Sequence, residues 1–171
     1  GDVIETNSII DNRRINIPLA WPANRQGRLV ADIISGSEVK YTGVMGTSVL
    51  KVCNLTGAAT GFSSEFLAMN EIEHESIHVH KVSHASYYPG ASLLSIKLTF
   101  DPKTGRIYGA QAVGLNGVEK RIDVLATAIK ANMTVWDLQD VEVCYAPPYN
   151  SAKDPMNIAG YVASNVADGD V

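Results

Sequence analysis

Leu94-Ser95-Ile96-Lys97-Leu98-Thr99-Phe100-Asp101-Pro102-Lys103-Thr104-Gly105 sets the frame for the rest of the chain. Leu94, Ile96, Leu98 and Phe100 alternate with Ser95, Lys97 and Thr99. Alternation with period two marks a strand with one apolar and one polar face. Residues 101–105 read as a hairpin turn. Residues 107–114 return as a second strand, with Gly109 and Gly114 allowing close backbone approach.

Upstream, residues 73–82 read as another strand. Ile77 and Val79 face one way, and His74, His78 and His80 the other. Three histidines in a row, with His84 nearby, resemble a metal site. No carboxylate or cysteine completes a recognisable ligand spacing, so a polar strand side facing solvent or an interface is preferred and no metal is assigned. Residues 47–53 form a strand, with Cys53 as a small buried hydrophobe, and residues 56–60 a second short one. Ser63-Ser64-Glu65 opens a capped helix. Downstream of Gly117, Val118, Ile122, Leu125 and Ile129 give a helix whose apolar face excludes Lys120, Arg121, Asp123 and Lys130. A short helix follows at about 134–140. Asp154-Pro155 starts a last one, running to about residue 166, with Ile158, Val162 and Val166 as its apolar line. Strands followed by helices argue for an α+β fold: an antiparallel sheet of about four to five strands with helices packed on one face.

Ahead of the sheet lie a hairpin over about residues 3–18 and a helix with Pro22 in its first turn. Its apolar residues are Leu29, Val30, Ile33 and Ile34. Asn24 and Arg28, four apart, share a face. An amide and a guanidinium near a helix start suit an anion such as phosphate, against the commoner reading of a solvated face. The expected organisation is residues 1–36, a Gly/Ser-rich linker at 37–46, and a main domain at 47–168.

Composition sets bounds on function. A hydrophobic fraction of 46%, a charged fraction of 19% and a net charge of −4 describe an ordinary globular chain with no basic footprint for nucleic acid or anionic membrane. No apolar run approaches the roughly 20 residues of a membrane helix, and no signal peptide is visible. Cys53 and Cys144 lack CxxC spacing, which fits a reducing, cytoplasmic setting. No P-loop, GxGxxG or GxSxG is present. The richest stretch chemically is Cys144-Tyr145-Ala146-Pro147-Pro148-Tyr149-Asn150-Ser151-Ala152-Lys153-Asp154-Pro155. Two prolines exclude a regular helix or central strand there. It reads as a stiff, extended loop presenting phenols, an amide and a lysine, or more plainly as a connector packed on the core.

Several segments together carry a family resemblance. They are Gly1-Asp2, Pro18-Leu19-Ala20 through Arg28, Tyr87-Tyr88-Pro89-Gly90, Lys120-Arg121-Ile122-Asp123, and Tyr145 through Pro155. With these the chain resembles the C-terminal region of the FAD-dependent pyridine nucleotide-disulfide oxidoreductases, most of all the coenzyme A disulfide reductases. The resemblance implies a homodimer and a coenzyme A-type substrate, with FAD and NAD(P)H as cofactors of the full-length protein. Residues 1–36 would be the end of the FAD-binding domain, and the main domain would be the dimerisation domain. Tyr87 and Tyr145 would be catalytic, reaching into the partner subunit's active site near its reactive disulfide. Asp2, Ala20 and Trp21 would lie along FAD; Asn24, Arg28 and Lys153 would hold coenzyme A. Cys53 and Cys144 do not match the family's redox cysteine. Without the nucleotide-binding folds and that cysteine, the chain alone is expected to bind FAD weakly or not at all and to be inactive. The alternatives are part of an NADH oxidase- or peroxidase-type flavoprotein, or a stand-alone dimeric scaffold.

Overall fold

The computed structural model describes residues 1–171, which divide into two compact units, 1–46 and 47–171.

In the first unit, β1 (Thr6–Asn7) pairs antiparallel with β2 (Arg14–Ile15). The turn between them is held by Asn12 in the left-handed region and by its side chain, which accepts from Asn7 Nδ2 at 2.9 Å. Helix α1 (Ala20–Ile34) follows, with Pro22 in its first turn. Residues 37–46 turn back at Val44, which is buried and bridges to Ser8. The apolar face expected on α1 is only partly covered. Pro22, Gln26 and Leu29 are buried at i, i+4 and i+7, whereas Val30, Ile33 and Ile34 are exposed. A two-stranded ribbon this short cannot cover four turns of helix.

The second unit is a five-stranded antiparallel sheet in the order β3-β4-β7-β6-β5. Its strands are β3 (Ser48–Val52), β4 (Leu55–Gly61), β5 (Glu75–Val82), β6 (Leu93–Phe100) and β7 (Ile107–Gly114). The alternation in β6 sets the register. Leu94, Ile96 and Leu98 stand opposite Gly114, Ala112 and Ala110 on one side and Lys81, Val79 and Ile77 on the other. Rows of apolar residues therefore run across the sheet on one face, broken only at the exposed edge residue Lys81. Helices α3 (Val118–Lys130) and α4 (Pro155–Asp168) pack on the sheet, α3 against β4 and β7 and α4 against β5 and β6. Leu94, Leu98, Phe100, Val118, Leu125, Ala159 and Ala163 are fully buried in this core. The short α2 (Ser64–Met69) is capped by Ser63, whose hydroxyl accepts from Phe66 N. Lys97, in the polar row of β6, donates to Ser64 Oγ. The tight fit at Gly109 has a local cause: a Cβ there would strike the Phe62 backbone.

Four expectations are corrected. Cys53 is not a buried strand residue; it is exposed at the β3–β4 turn with φ 52°. A two-residue hairpin turn needs left-handed backbone, and Cys53 supplies it. His74 lies outside β5 and its Nδ1 is 2.8 Å from the Ile72 carbonyl, so only His78 and His80 share the exposed row. The buried side of α4 runs through Met156, Ala159, Gly160 and Ala163, and Ile158, Val162 and Val166 flank it. Small residues let this helix approach the sheet closely. Arg121, assigned to the polar side of α3, is buried at 2% exposure.

No helix is long and apolar enough to cross a membrane.

Candidate functional site

Two loops at one end of the sheet carry the phenols. The first, residues 83–92, joins β5 to β6 and is closed by Ser83 N donating to Ser92 O at 2.8 Å. His84 is buried within it: Nδ1 lies 3.2 Å from Ser83 Oγ, Nε2 lies 3.3 Å from Pro89 O, and its ring meets Tyr88 edge-on. The second loop runs from the short 3₁₀ turn Asp137–Gln139 to α4. Pro147 and Pro148 sit in a turn that Tyr149 N and Asn150 N close on Ala146 O, at 2.9 and 3.1 Å. The proline stretch is thus folded back on itself and not fully extended. Ala85 N donates to Asn150 O at 3.0 Å and to Pro147 O at 3.3 Å, which docks the first loop on the second.

This docking brings Tyr87 and Tyr145, 58 residues apart, to an Oη–Oη distance of 3.3 Å. Both rings are well exposed, at 75% and 51%. The hydrogen bond to Tyr87 raises the Tyr145 pKa above the usual phenol value; slight desolvation and the Tyr87 charge act the same way. Tyr145 therefore keeps its proton at neutral pH. Chemically, such a pair can offer an exposed hydrogen bond to an anion.

Beneath the loops lies a polar cluster that sequence reasoning missed. Arg121 Nε donates to both carboxylate oxygens of Asp154, at 3.3 and 3.1 Å, and Nη1 donates to Gly117 O at 3.1 Å. Nη2 donates to Ser83 O at 2.8 Å and Asn150 Oδ1 at 3.0 Å. Gly117, at φ 70°, has no side chain to obstruct Nη1; a Cβ there would collide with it. Asp154 also caps α4, accepting from Met156 N at 2.8 Å. A signal existed: Arg121 stands three residues after Val118 and four before Leu125, inside the apolar stripe.

The remaining expected site residues are placed as follows. Lys153 lines a cleft of about 280 Å³ with Gln139, Glu142, Asn157 and Tyr161, and its ammonium lies 4.8 Å from the Tyr161 ring centroid. In the first unit, Ala20, Trp21, Asn24 and Arg28 all belong to α1. Trp21 is exposed at 72%, and Arg28 Nε donates to Asp32 Oδ1 at 3.1 Å. Asp2 is exposed, and its carbonyl accepts from Asn16 Nδ2 at 2.8 Å. No group of three or more His, Cys, Asp or Glu side chains could hold a metal ion.

The profile of the pyridine nucleotide-disulphide oxidoreductase dimerisation domain matches residues 47–156. The chain is 38% identical over 164 residues to coenzyme A disulfide reductase of Staphylococcus epidermidis, covering 95% of this chain and 37% of that protein. Among solved structures, reduced Bacillus anthracis CoADR-RHD superposes with a TM-score of 0.97 at 55% identity, over 100% of this chain and 31% of that one. An NAD-dependent persulfide reductase from A. fulgidus does so with a TM-score of 0.95 at 36% identity, over 99% and 31%. The chain thus spans about a third of the length of the relatives it matches.

Proposed function

This chain belongs to the pyridine nucleotide-disulphide oxidoreductase dimerisation-domain family, and we propose that it is the subunit-pairing C-terminal region of a flavoprotein. That enzyme uses NAD(P)H to reduce coenzyme A disulfide or a related coenzyme A persulfide. The observation that carries the reading is the Tyr87–Tyr145 pair, with its phenols 3.3 Å apart on the surface and both rings open to a ligand. In a homodimer the pair enters the active site of the partner subunit. Tyr145 donates a hydrogen bond to the sulfur that leaves as a thiolate, and Tyr87 orients it. Identity to a coenzyme A disulfide reductase and to a persulfide reductase supports a thiol-type substrate.

Residues 1–36 are read as the end of the FAD-binding domain. They suit a flavin: α1 has neither a capping side chain nor an acidic residue in its first turn, so the N–H groups of Ala20 and Trp21 remain available to polar atoms of FAD. Asp2 would take a hydroxyl of the cofactor. Bound FAD supplies the electron path between NAD(P)H and the disulfide. Asn24, Arg28 and Lys153 would hold coenzyme A, the two cations pairing with its phosphates. By itself the chain would not turn over.

The test uses the full-length protein. NAD(P)H oxidation with coenzyme A disulfide is compared for wild type, Tyr87→Phe and Tyr145→Phe. Disulfide turnover should fall in both variants while reduction of the flavin by NAD(P)H stays intact. Unchanged disulfide turnover refutes the role of the pair and directs attention to oxygen or peroxide as the acceptor.

A further inference from the structure

The Arg121 cluster asks why a buried charge stands where an apolar side chain would pack. A buried ion pair is a weak source of stability, because desolvation of both charges offsets their attraction. Here the guanidinium does something that a Met or Leu could not. Its planar fork serves four separate segments at once: the start of α3 through Gly117 O, the α4 cap through Asp154, the first loop through Ser83 O, and the second through Asn150 Oδ1. Ser83 lies four residues before Tyr87, and Asn150 five residues after Tyr145. One Nη2 nitrogen therefore grips both tyrosine-bearing loops close to the phenols. The backbone bonds from Ala85 N to the second loop run alongside this grip.

We infer that Arg121 is the positioning residue of the tyrosine pair, its buried guanidinium fixing the Tyr87 loop and the Tyr145 loop at the spacing that lets their phenols meet. The inference rests on the function proposed for that pair. Asn150 is the second half of the device: it presents Oδ1 to Arg121 and its backbone carbonyl to Ala85 N, and it is fully buried. Lysine could keep a charge beside Asp154 but has no planar fork to reach both loops.

The experiment compares Arg121→Met, Arg121→Lys and Asn150→Ala with wild type in the full-length protein, with folding checked by circular dichroism. Two readouts separate positioning from mere support. The first is the titration of Tyr145, followed by phenolate absorbance after subtraction of a Tyr145→Phe background. The second is the split between kcat and KM for coenzyme A disulfide. Arg121→Met should bring the Tyr145 titration down toward that of an ordinary phenol. It should lower kcat by about 10- to 100-fold, as a displacement of about 1 Å does to a positioned group, with flavin reduction unchanged. Arg121→Lys should recover part of both effects. If Arg121→Met does not fold, Asn150→Ala decides, because it cuts one loop's link and leaves the Asp154 pair in place. A folded variant with a lower melting temperature but wild-type Tyr145 titration overturns the inference. If Tyr145→Phe itself leaves turnover unchanged, the proposed function fails, while the phenol titration still decides the role of Arg121.

Discussion

Removing the charge of Asp154 tests the buried cluster most directly. Asp154 and Arg121 are both 2% exposed, and Arg121 Nη2 lies 3.0 Å from Asp154 Oδ2. Asp154→Asn keeps an oxygen for the Met156 N cap but leaves the guanidinium uncompensated. Breaking a buried pair from one side costs about 3–5 kcal/mol. Asp154→Ala loses the cap as well, for about 1 kcal/mol more. Against a total stability of about 5–15 kcal/mol, either change is severe. Arg121→Met should cost as much as Asp154→Asn. The double variant should not cost their sum, because neither charge is then left alone. It will not return to wild type, because Ser83 O, Gly117 O and Asn150 Oδ1 lose their donor. The expected coupling is about 2–3 kcal/mol, near the top of the range for contacting residues. Urea unfolding followed by circular dichroism reads this as a midpoint difference on the order of 1 M. The same cycle on the exposed pair Arg28–Asp32 should give only about 0.3–0.5 kcal/mol and fade with salt, whereas the buried pair should hardly respond. A coupling under about 0.5 kcal/mol at Arg121–Asp154, or one that salt abolishes, would refute the reasoning.

Other outcomes follow from the same geometry. Leu98→Ala, at a fully buried position in the middle of β6, should cost about 3–5 kcal/mol in urea unfolding. Gly109→Val should abolish the fold seen by circular dichroism, because its Cβ meets the Phe62 backbone where β4 and β7 close. At Asp101, burial raises the pKa, but the N–H groups of Lys103 and Thr104 and the hydroxyls of Thr104 and Tyr108 together bring it below the ordinary value. A depressed folded pKa gives stability that is present above the unfolded value, about 3.9, and lost as pH falls through the folded one. The stability gap between wild type and Asp101→Asn, seen at neutral pH in thermal melts, should therefore close in acid. Tyr87→Phe should return the Tyr145 phenol to about the ordinary value near 10, read by phenolate absorbance; an unchanged titration would mean the two hydroxyls do not meet.

The sheet was legible because its signal is local. Period-two alternation in residues 94–100 carries the register, and the turn at 101–105 follows from residue type alone. Helix starts were legible for the same reason: Ser63 and Asp154 cap the helices they precede. Cys53 was misread because a strand pattern does not say where a two-residue turn falls. Arg121 was misread because charge suggests solvent. What decides its burial is that Asp154, Asn150 and Ser83, up to 38 residues away, arrive to satisfy it. The exposed apolar residues of α1 show a related limit, since periodicity reveals an apolar face but not whether anything covers it.

Side-chain periodicity and turn chemistry over a few residues dictate the α+β order of elements and the strand faces, and put phenols in two loops. Family membership could be argued from those motifs as well. That Tyr87 and Tyr145 touch, and that a buried guanidinium stands beneath them, emerges from the packed fold alone. Both depend on closing loops across 58 and 38 residues. Contacts at that separation depend on how the sheet pairs and the helices pack, so no local pattern encodes them.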